Sequence, residues 1–401
     1  MDTKILQITD DVQWIGVLDA DIRTFDIVME TKYGTTYNSY FINTDKKAIV
    51  DVVKTPFFPA FESKLRQRCN PEDIEYIFIS HTEPDHSGGL SKLLEIAPNA
   101  TVVASNSAIM NLKEQLNMPF KHIIVCDGMT TDLGNKKMTT ICAPNLHWPD
   151  TVFNYLHEDK VLFSCDAFGA HFCHEEMYDN KVGNYEDAFT YYFDVILKPF
   201  SKFYLKAIEK ISTWEIDAIC TGHGPLLRES CLDIVEKTKR LCENYLTGYP
   251  ERNRILIAFV SAYGYTKTIA EKLKEGVEKV PGIFVDFCDI EKMDAEALGE
   301  KVAKASAYLL GSPTINQNML PQLYTLFALM TPLRDRGKPA AAFGAYGWSG
   351  EAKQNLLNNI SNLKLCGYPE SMFVKFIPSK EEENSIVNFG EQFARAFITN
   401  R

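Results

Sequence analysis

The ten cysteines include no Cys-x-x-Cys pair, and Cys126, Cys142, Cys165, Cys220 and Cys288 lie inside apolar runs, where a free thiol behaves as a small hydrophobe. A disulfide framework and a cysteine-ligated metal knuckle are therefore not expected, and a reducing cytoplasm fits best. No apolar run approaches the ~20 residues that a membrane-spanning helix needs. The start, Met1-Asp2-Thr3-Lys4, lacks a basic segment leading into an apolar one, so neither a membrane partner nor export is expected. Lysine and arginine form no cluster, and 42 of them against 53 acidic residues leave a net charge of −11. That argues against a nucleic-acid partner, because a phosphate backbone needs a positive field. Repeats and low-complexity segments are missing as well. Histidine is scarce, eight in the chain, so the places where it falls carry information.

At 401 residues, 45% of them hydrophobic and 24% charged, the chain is long for one core and natural for two domains. Up to about residue 248, Ala48-Ile49-Val50, Tyr76-Ile77-Phe78-Ile79, Thr101-Val102-Val103-Ala104, Ile123-Ile124-Val125 and Val161-Leu162-Phe163 read as short buried strands. Helices are expected over 58–68, 107–116, 190–210 and 231–245, which makes this an α/β layered domain. Gly248-Tyr249-Pro250, followed by Glu251-Arg252-Asn253-Arg254, is the best seam and places the domains at 1–250 and 254–401. The linker is too short for a flexible tether. From Ile255 the rhythm becomes strand, loop, helix. The continuous apolar run 255–260 suits a parallel sheet covered on both faces, and it enters a helix expected over 267–277.

Half of the histidines fall into one pattern. His81-Thr82-Glu83-Pro84-Asp85-His86-Ser87-Gly88-Gly89 packs two imidazoles and two carboxylates into six residues directly after a strand. Imidazole nitrogen and carboxylate oxygen hold first-row metals, and four ligands in one short loop reach two ions when other segments complete the shells. His147, Asp166 and His223 each end a strand or open a turn, and they supply those segments. Four neutral histidines and three carboxylates set three negative charges against two divalent ions, so one bridging hydroxide neutralises the pair. Such a hard, anionic set suits iron that cycles to a higher charge better than zinc. His122, His157 and His174 read as structural. His171, five residues beyond Asp166, is placed to touch the ligands rather than a metal.

In the second domain, Ser261-Ala262-Tyr263-Gly264-Tyr265-Thr266 joins the first strand to its helix. Two hydroxyls and the N–H groups of a helix N-terminus can hold a phosphate dianion without a cationic side chain. The spacing is neither a Walker loop nor a G-x-G-x-x-G dinucleotide pattern. Two more loops follow later strands: Ser312-Pro313-Thr314-Ile315-Asn316-Gln317-Asn318, and Ala345-Tyr346-Gly347-Trp348-Ser349-Gly350. All three are expected at the carboxyl edge of one parallel sheet, where doubly wound folds bind ligands.

The order His-x-Glu-x-Asp-His, then His, Asp and His, resembles the binuclear metal site of the metallo-β-lactamase fold, with Glu83 where hydrolases of that fold usually carry histidine. The three loops of 254–401 resemble the FMN site of flavodoxins. Together they make the chain similar to the flavodiiron proteins over nearly all its length. The resemblance implies a metallo-β-lactamase-like αββα sandwich followed by a flavodoxin-like doubly wound parallel sheet, with FMN and two non-haem irons as cofactors. It further implies reduction of dioxygen to water or of nitric oxide to nitrous oxide. On that pattern His81, Glu83 and His147 bind one iron, Asp85, His86 and His223 the other, and Asp166 bridges. Tyr192 and His171 are the candidate catalytic side chains, although an aromatic on an amphipathic helix is often plain core. The FMN contacts are expected from Ser261 to Thr266, from Ser312, Pro313, Thr314 and Asn316, and from Ala345 to Gly350, with Trp348 or Tyr346 stacking on the ring. Asp26 stands where the family often has a pocket histidine. With no Cys-x-x-Cys pair a fused rubredoxin is not expected. The electron donor is then external, a separate rubredoxin or a reduced nicotinamide or deazaflavin carrier. A head-to-tail homodimer, or a dimer of such dimers, is also implied. The alternative is a zinc-dependent hydrolase of the same fold with a fused flavodoxin module. Glu83 and the flavin loops weigh against it. A non-catalytic electron carrier with a structural metal site is the third reading.

Overall fold

The structure is a computed structural model that describes residues 4–27, 29–248 and 251–399. It separates into two compact units, Met1–Asn244 and Tyr245–Arg401. The division falls inside the helix Cys231–Gly248, a few residues before the seam read from the sequence, of which Tyr249 and Pro250 lie outside the described residues, as do Met1 to Thr3. Among the described residues no helix is long and apolar enough to cross a membrane.

The first unit is built on two sheets. One runs, in spatial order, Leu6–Gln7, Val12–Trp14, Tyr40–Ile42, Lys47–Val50, Ile74–Phe78, Thr101–Ser105 and His122–Val125; the other runs Thr130–Asp132, Lys137–Cys142, Val152–Leu156, Val161–Cys165 and Ala218–Thr221. Successive side chains of a strand point to opposite faces, and this chain uses both. Val50, Phe78 and Val103 turn inward to meet Met138, Val161 and Phe163 of the facing sheet. Ile49, Ile77 and Val102 turn outward under the helices Phe58–Arg66, Leu90–Ile96 and Asn106–Leu116. On the far side Phe153, Leu162 and Ile219 pack under Ser201–Ile211 and Cys231–Gly248. The layers are therefore helix, sheet, sheet, helix. The inner strands, such as Val152–Leu156, Val161–Cys165 and Ala218–Thr221, are buried on both faces, which explains their continuous apolar runs in the sequence.

One expected element is corrected. The helix expected over 190–210 is a helix Glu186–Tyr192, a π turn Phe193–Leu197, a tight turn Lys198–Phe200 and a second helix Ser201–Ile211. Pro199 has no N–H to donate and its ring crowds the preceding turn, so the α pattern cannot run through it.

The second unit is a six-stranded parallel sheet, with strands Phe284–Asp289, Arg254–Phe259, Ala307–Gly311 and Pro339–Tyr346 in spatial order and both Cys366–Gly367 and Met372–Lys375 pairing with the last. Alternation again splits one strand between two cores. Ile255, Ile257 and Phe259 face the helices Tyr265–Glu278 and Lys380–Thr399, while Leu256 and Ala258 face Ala295–Lys304, Pro321–Ala328 and Glu351–Asn362. The central strand, Arg254–Phe259, thus lies between its sequence successors, and the loops leaving it and Ala307–Gly311 diverge at the carboxyl edge. That divergence opens a crevice.

Candidate functional site

Ser80 ends the extended segment that follows Ile74–Phe78, and the chain then turns into a single helical turn, Pro84–Ser87. The turn keeps His81 and Glu83 on one side and delivers Asp85 and His86 to the other. His147 arrives between Lys137–Cys142 and Val152–Leu156, Asp166 directly after Val161–Cys165, and His223 directly after Ala218–Thr221. The structure brings all seven together in two groups. His81, Glu83, His147 and Asp166 have their ligand atoms within 4.8 Å of one another, and so do Asp85, His86 and His223.

Asp166 joins the groups by its two oxygens. Its Oδ2 lies 3.4 Å from His147 Nε2 and 3.7 Å from His81 Nε2, whereas its Oδ1 lies 3.0 Å from His86 Nε2 and 3.5 Å from His223 Nε2. Within the groups, Glu83 Oε2 is 2.9 Å from His147 Nε2, and Asp85 Oδ2 is 2.9 Å from His223 Nε2. Burial pushes His147 down, but the neighbouring carboxylates of Asp166 and Glu83 override it and raise it to about 10. Burial likewise opposes His86, and the charges of Asp85 and Asp166 lift it well above the usual imidazole range. Against the burial that would raise them, the histidines hold Glu83, Asp85 and Asp166 low. Buried Asp85 Oδ1 and Asp166 Oδ2 accept no hydrogen bond. Seven ligand side chains, five buried and Glu83 and His147 partly so, that converge on two points with orphaned carboxylate oxygens among them fit two cations.

Several partners were not apparent from the sequence. His81 Nδ1 lies 3.2 Å from Asp150 Oδ1, and His223 Nδ1 donates to the Thr36 carbonyl at 2.6 Å, so each ring is fixed with Nε2 toward the centre. Asp51, with His86 and Cys165, forms a third cluster of potential ligand atoms, and its Oδ1 accepts the Ser80 N–H at 2.7 Å. Gly222 is required sterically. A Cβ there would sit 2.6 Å from His86 Cε1 and 3.0 Å from the Cys165 carbonyl carbon.

Tyr192, fully buried, donates from its hydroxyl to Asp166 Oδ1 at 3.2 Å, so it acts first on a carboxylate of the cluster. His171 has Nδ1 2.8 Å from Thr35 Oγ1, its ring against Phe25, Tyr192 and His223, and a buried Nε2 with no partner. Burial and neighbouring His223 drive it down to about 3, which keeps it neutral. Asp26, in the turn between Thr24–Phe25 and Met29–Glu30, is raised to about 6 by burial and by its hydrogen bond to Glu83. The remaining histidines have structural partners: His122 Nδ1 lies 3.2 Å from the Phe120 carbonyl, His157 pairs with Thr139, and His174 stacks on Phe172.

In the second unit the three loops enclose a groove of about 300 Å³ lined by Ser261, Ala262, Tyr263, Tyr265, Thr266, Pro313, Thr314, Asn316, Ala345, Tyr346, Gly347 and Trp348. Four expected residues do not line it. Ser312 is buried and its hydroxyl accepts the Leu320 N–H; Gly264 turns the chain at φ +86°; Ser349 and Gly350 lead into the helix Glu351–Asn362. The groove adds Ile315 and Phe376, which the sequence reading left out. Phe376 follows the strand Met372–Lys375, so the strand-end rule that found the other loops also applies to it. Thr266 lies in the first turn of the helix Tyr265–Glu278 with a buried, partnerless Oγ1, and Ser261 Oγ accepts the Lys267 N–H while keeping its own proton free. These hydroxyls and the helix N-terminus fit a phosphate. Trp348, Tyr263 and Phe376 stand at the rim, 86%, 81% and 52% exposed, and fit one or both faces of a flat aromatic ring system.

Residues 35–224 match the family model described as ODP family beta lactamase, and residues 257–365 match that of flavodoxin. The chain is 35% identical to the flavo-diiron protein FprA2 of Clostridium acetobutylicum over 98% of its own length and 99% of that protein. It is 33% identical to the nitric oxide reductase of Moorella thermoacetica, over 96% of this chain and 97% of the relative. Among solved structures, the rubredoxin oxygen:oxidoreductase of Desulfovibrio gigas aligns with a TM-score of 0.70 at 26% identity, covering 99% of each chain.

Proposed function

The chain belongs to the flavodiiron proteins, a family of oxidoreductases using FMN and a non-haem diiron pair, and on that premise we propose that it reduces dioxygen to water, nitric oxide to nitrous oxide, or both. His81, Glu83 and His147 would hold one iron and Asp85, His86 and His223 the other, with Asp166 giving one oxygen to each. The observation that carries this reading is that division of the Asp166 oxygens between two groups, because one carboxylate oriented this way serves two cations at once. When bound, the flavin supplies two electrons and the irons two more, the number that dioxygen needs to reach water without release of peroxide.

The protein's own part is placement. Asp150 and Thr36 fix the tautomers of His81 and His223, and Tyr192 holds Asp166 from the side away from His147 by its hydrogen bond to Oδ1. Neutral His171 walls the site beside Tyr192 and His223 without adding charge. Asp26, raised toward neutrality beside Glu83, stands where a proton can be carried to the pocket. The phosphate of FMN would lie on Ser261 and Thr266, with its ring between the rim aromatics. The cytoplasm is the proposed compartment. Electrons would come from an external donor, a rubredoxin or a reduced nicotinamide or deazaflavin carrier.

Elemental analysis of protein purified without added metal tests the assignment, together with anaerobic turnover on dioxygen and on nitric oxide driven by one artificial reductant. Two irons per chain and consumption of at least one gas are expected. Two zincs with no gas consumption would overturn the reading in favour of a hydrolase.

A further inference from the structure

The helix Asn106–Leu116 carries no residue of either ligand group, yet it touches the loop that carries four of them. Asn111 and Gln115 stand one turn apart on one face. Asn111 Nδ2 donates to Thr82 Oγ1 at 2.9 Å, and the Thr82 hydroxyl donates to Asp150 Oδ2. Asp150 also accepts the Thr82 backbone N–H at 3.0 Å and faces His81 Nδ1 with its other oxygen at 3.2 Å. The polarity of this chain is fixed at one end. Asp150 as a carboxylate can only accept, so the single Thr82 hydroxyl proton is committed to it, and Thr82 Oγ1 can only accept from Asn111. Gln115 meets the same loop at two points: its Nε2 donates to the Thr82 carbonyl at 2.7 Å, and its Oε1 lies 3.1 Å from Ser87 Oγ, whose one proton it shares as acceptor with the Thr82 and Glu83 carbonyls at 3.0 and 3.1 Å. The helix is itself tied to Asp150, because Ser105 Oγ caps the helix through the Ala108 N–H and donates to the Asp150 carbonyl at 2.9 Å.

We propose that Asn111 and Gln115 are positioning residues of the metal centre: Asn111, through Thr82 and Asp150, sets the donor strength and direction of His81, and Gln115 holds the ends of the ligand loop at their working separation. The inference rests on His81 being a ligand of the iron that Glu83 and His147 share. It has a selective consequence, because the Asn111 chain ends on His81 and reaches no residue of the Asp85, His86 and His223 group. A polar partner of a ligand histidine typically sets metal affinity within 10- to 100-fold.

The test uses the iron-loaded full chain and follows ferrous iron release to ferrozine under anaerobic conditions. Wild-type protein is compared with Asn111→Leu, the near-isosteric Asn111→Asp, Gln115→Met and, as a control on the same helix, Lys113→Ala. In Asn111→Leu one iron of the two is expected to leave about 10-fold faster or more, while the other keeps its wild-type rate. Asn111→Asp fills the same space but accepts the Thr82 proton and takes it from Asp150, so it should behave as Asn111→Leu does. Gln115→Met should speed release of both irons, since all four loop ligands depend on the span it closes. Unchanged release in Asn111→Leu and Asn111→Asp would overturn the inference. So would equal acceleration of both irons in those variants with a lower melting temperature of the metal-free protein, since that pattern marks a damaged helix. Wild-type protein that binds no iron would overturn the diiron reading itself, a different and separately visible result.

Discussion

On the proposed assignment Glu83 would set the choice of metal. Its carboxylate sits between His81 and His147, at 3.2 and 2.9 Å from their Nε2 atoms. Replacing it by histidine removes one of three negative charges and softens the set, so Glu83→His should shift metal content from iron toward zinc and abolish gas reduction while the fold is kept. Elemental analysis beside circular dichroism checks this, and unchanged iron with full activity would show that Glu83 is no ligand. Gly222→Ala should empty the Asp85, His86 and His223 position, because its Cβ would press on the His86 ring and on the Cys165 backbone, neither free to move. Overpacking of this kind costs about 1–3 kcal/mol, visible as a lower melting temperature and loss of one iron. The seven clustered residues could be read from the sequence because four fall within six residues and the other three lie in turns that follow strands. Asp150 and Thr36 could not, since their partners lie 69 and 187 positions away and only the packed sheets bring them together.

At the scale of elements, the loop from Arg254–Phe259 into Tyr265–Glu278 should act as an anion site. Replacing Ser261 and Thr266 together by alanine removes two hydroxyl donors, each worth roughly 1.5–3 kcal/mol toward a charged phosphate. FMN affinity should fall while riboflavin affinity barely changes; equal weakening of both would show that the phosphate lies elsewhere. A second element effect concerns the buried knot behind Ala307–Gly311. Asp335, fully buried, takes Lys338 Nζ at 2.8 Å, the Tyr308 hydroxyl at 3.0 Å and the Arg334 guanidinium at 2.7 Å. Burial works against its charge, yet Arg334 and Lys338 hold its carboxyl below the ordinary range. Its stabilisation is thus present at neutral pH and lost only as pH falls through that depressed value. Asp335→Asn would leave buried Lys338 and partly buried Arg334 short of their partner, at a cost of about 3–5 kcal/mol, and flavin fluorescence during thermal unfolding should report the earlier melting. The doubly wound order was visible in the strand, loop, helix rhythm. Pro199 likewise announces its break in the sequence, although the apolar spacing on either side of it keeps the helical period.

For the whole molecule, the resemblance that implied both cofactors also implies a head-to-tail dimer, in which the flavin of one chain serves the irons of its partner. Co-expression of a chain with a dead metal site (His81→Ala with Asp166→Ala) and one with a dead flavin site (Ser261→Ala with Thr266→Asp) tests this. Each is inactive alone, and a purified mixed dimer should recover about half the wild-type rate, one competent pair out of two. A folded, correctly loaded mixed dimer without activity would move the electron route inside each chain. Composition foretold two domains, but assembly leaves no such trace, because an interface need not differ in composition from ordinary surface. Each cation position draws ligands from both sheets: His81 and Glu83 from the edge of the first with His147 and Asp166 from the second, Asp85 and His86 from the first with His223 from the second. Two bound ions are therefore rivets through the sandwich. With ligands drawn from both plates, the ions would complete their shells only once the plates lie in register, and a chain starved of iron should show its slackness as a parting of the sheets rather than a fraying of its helices.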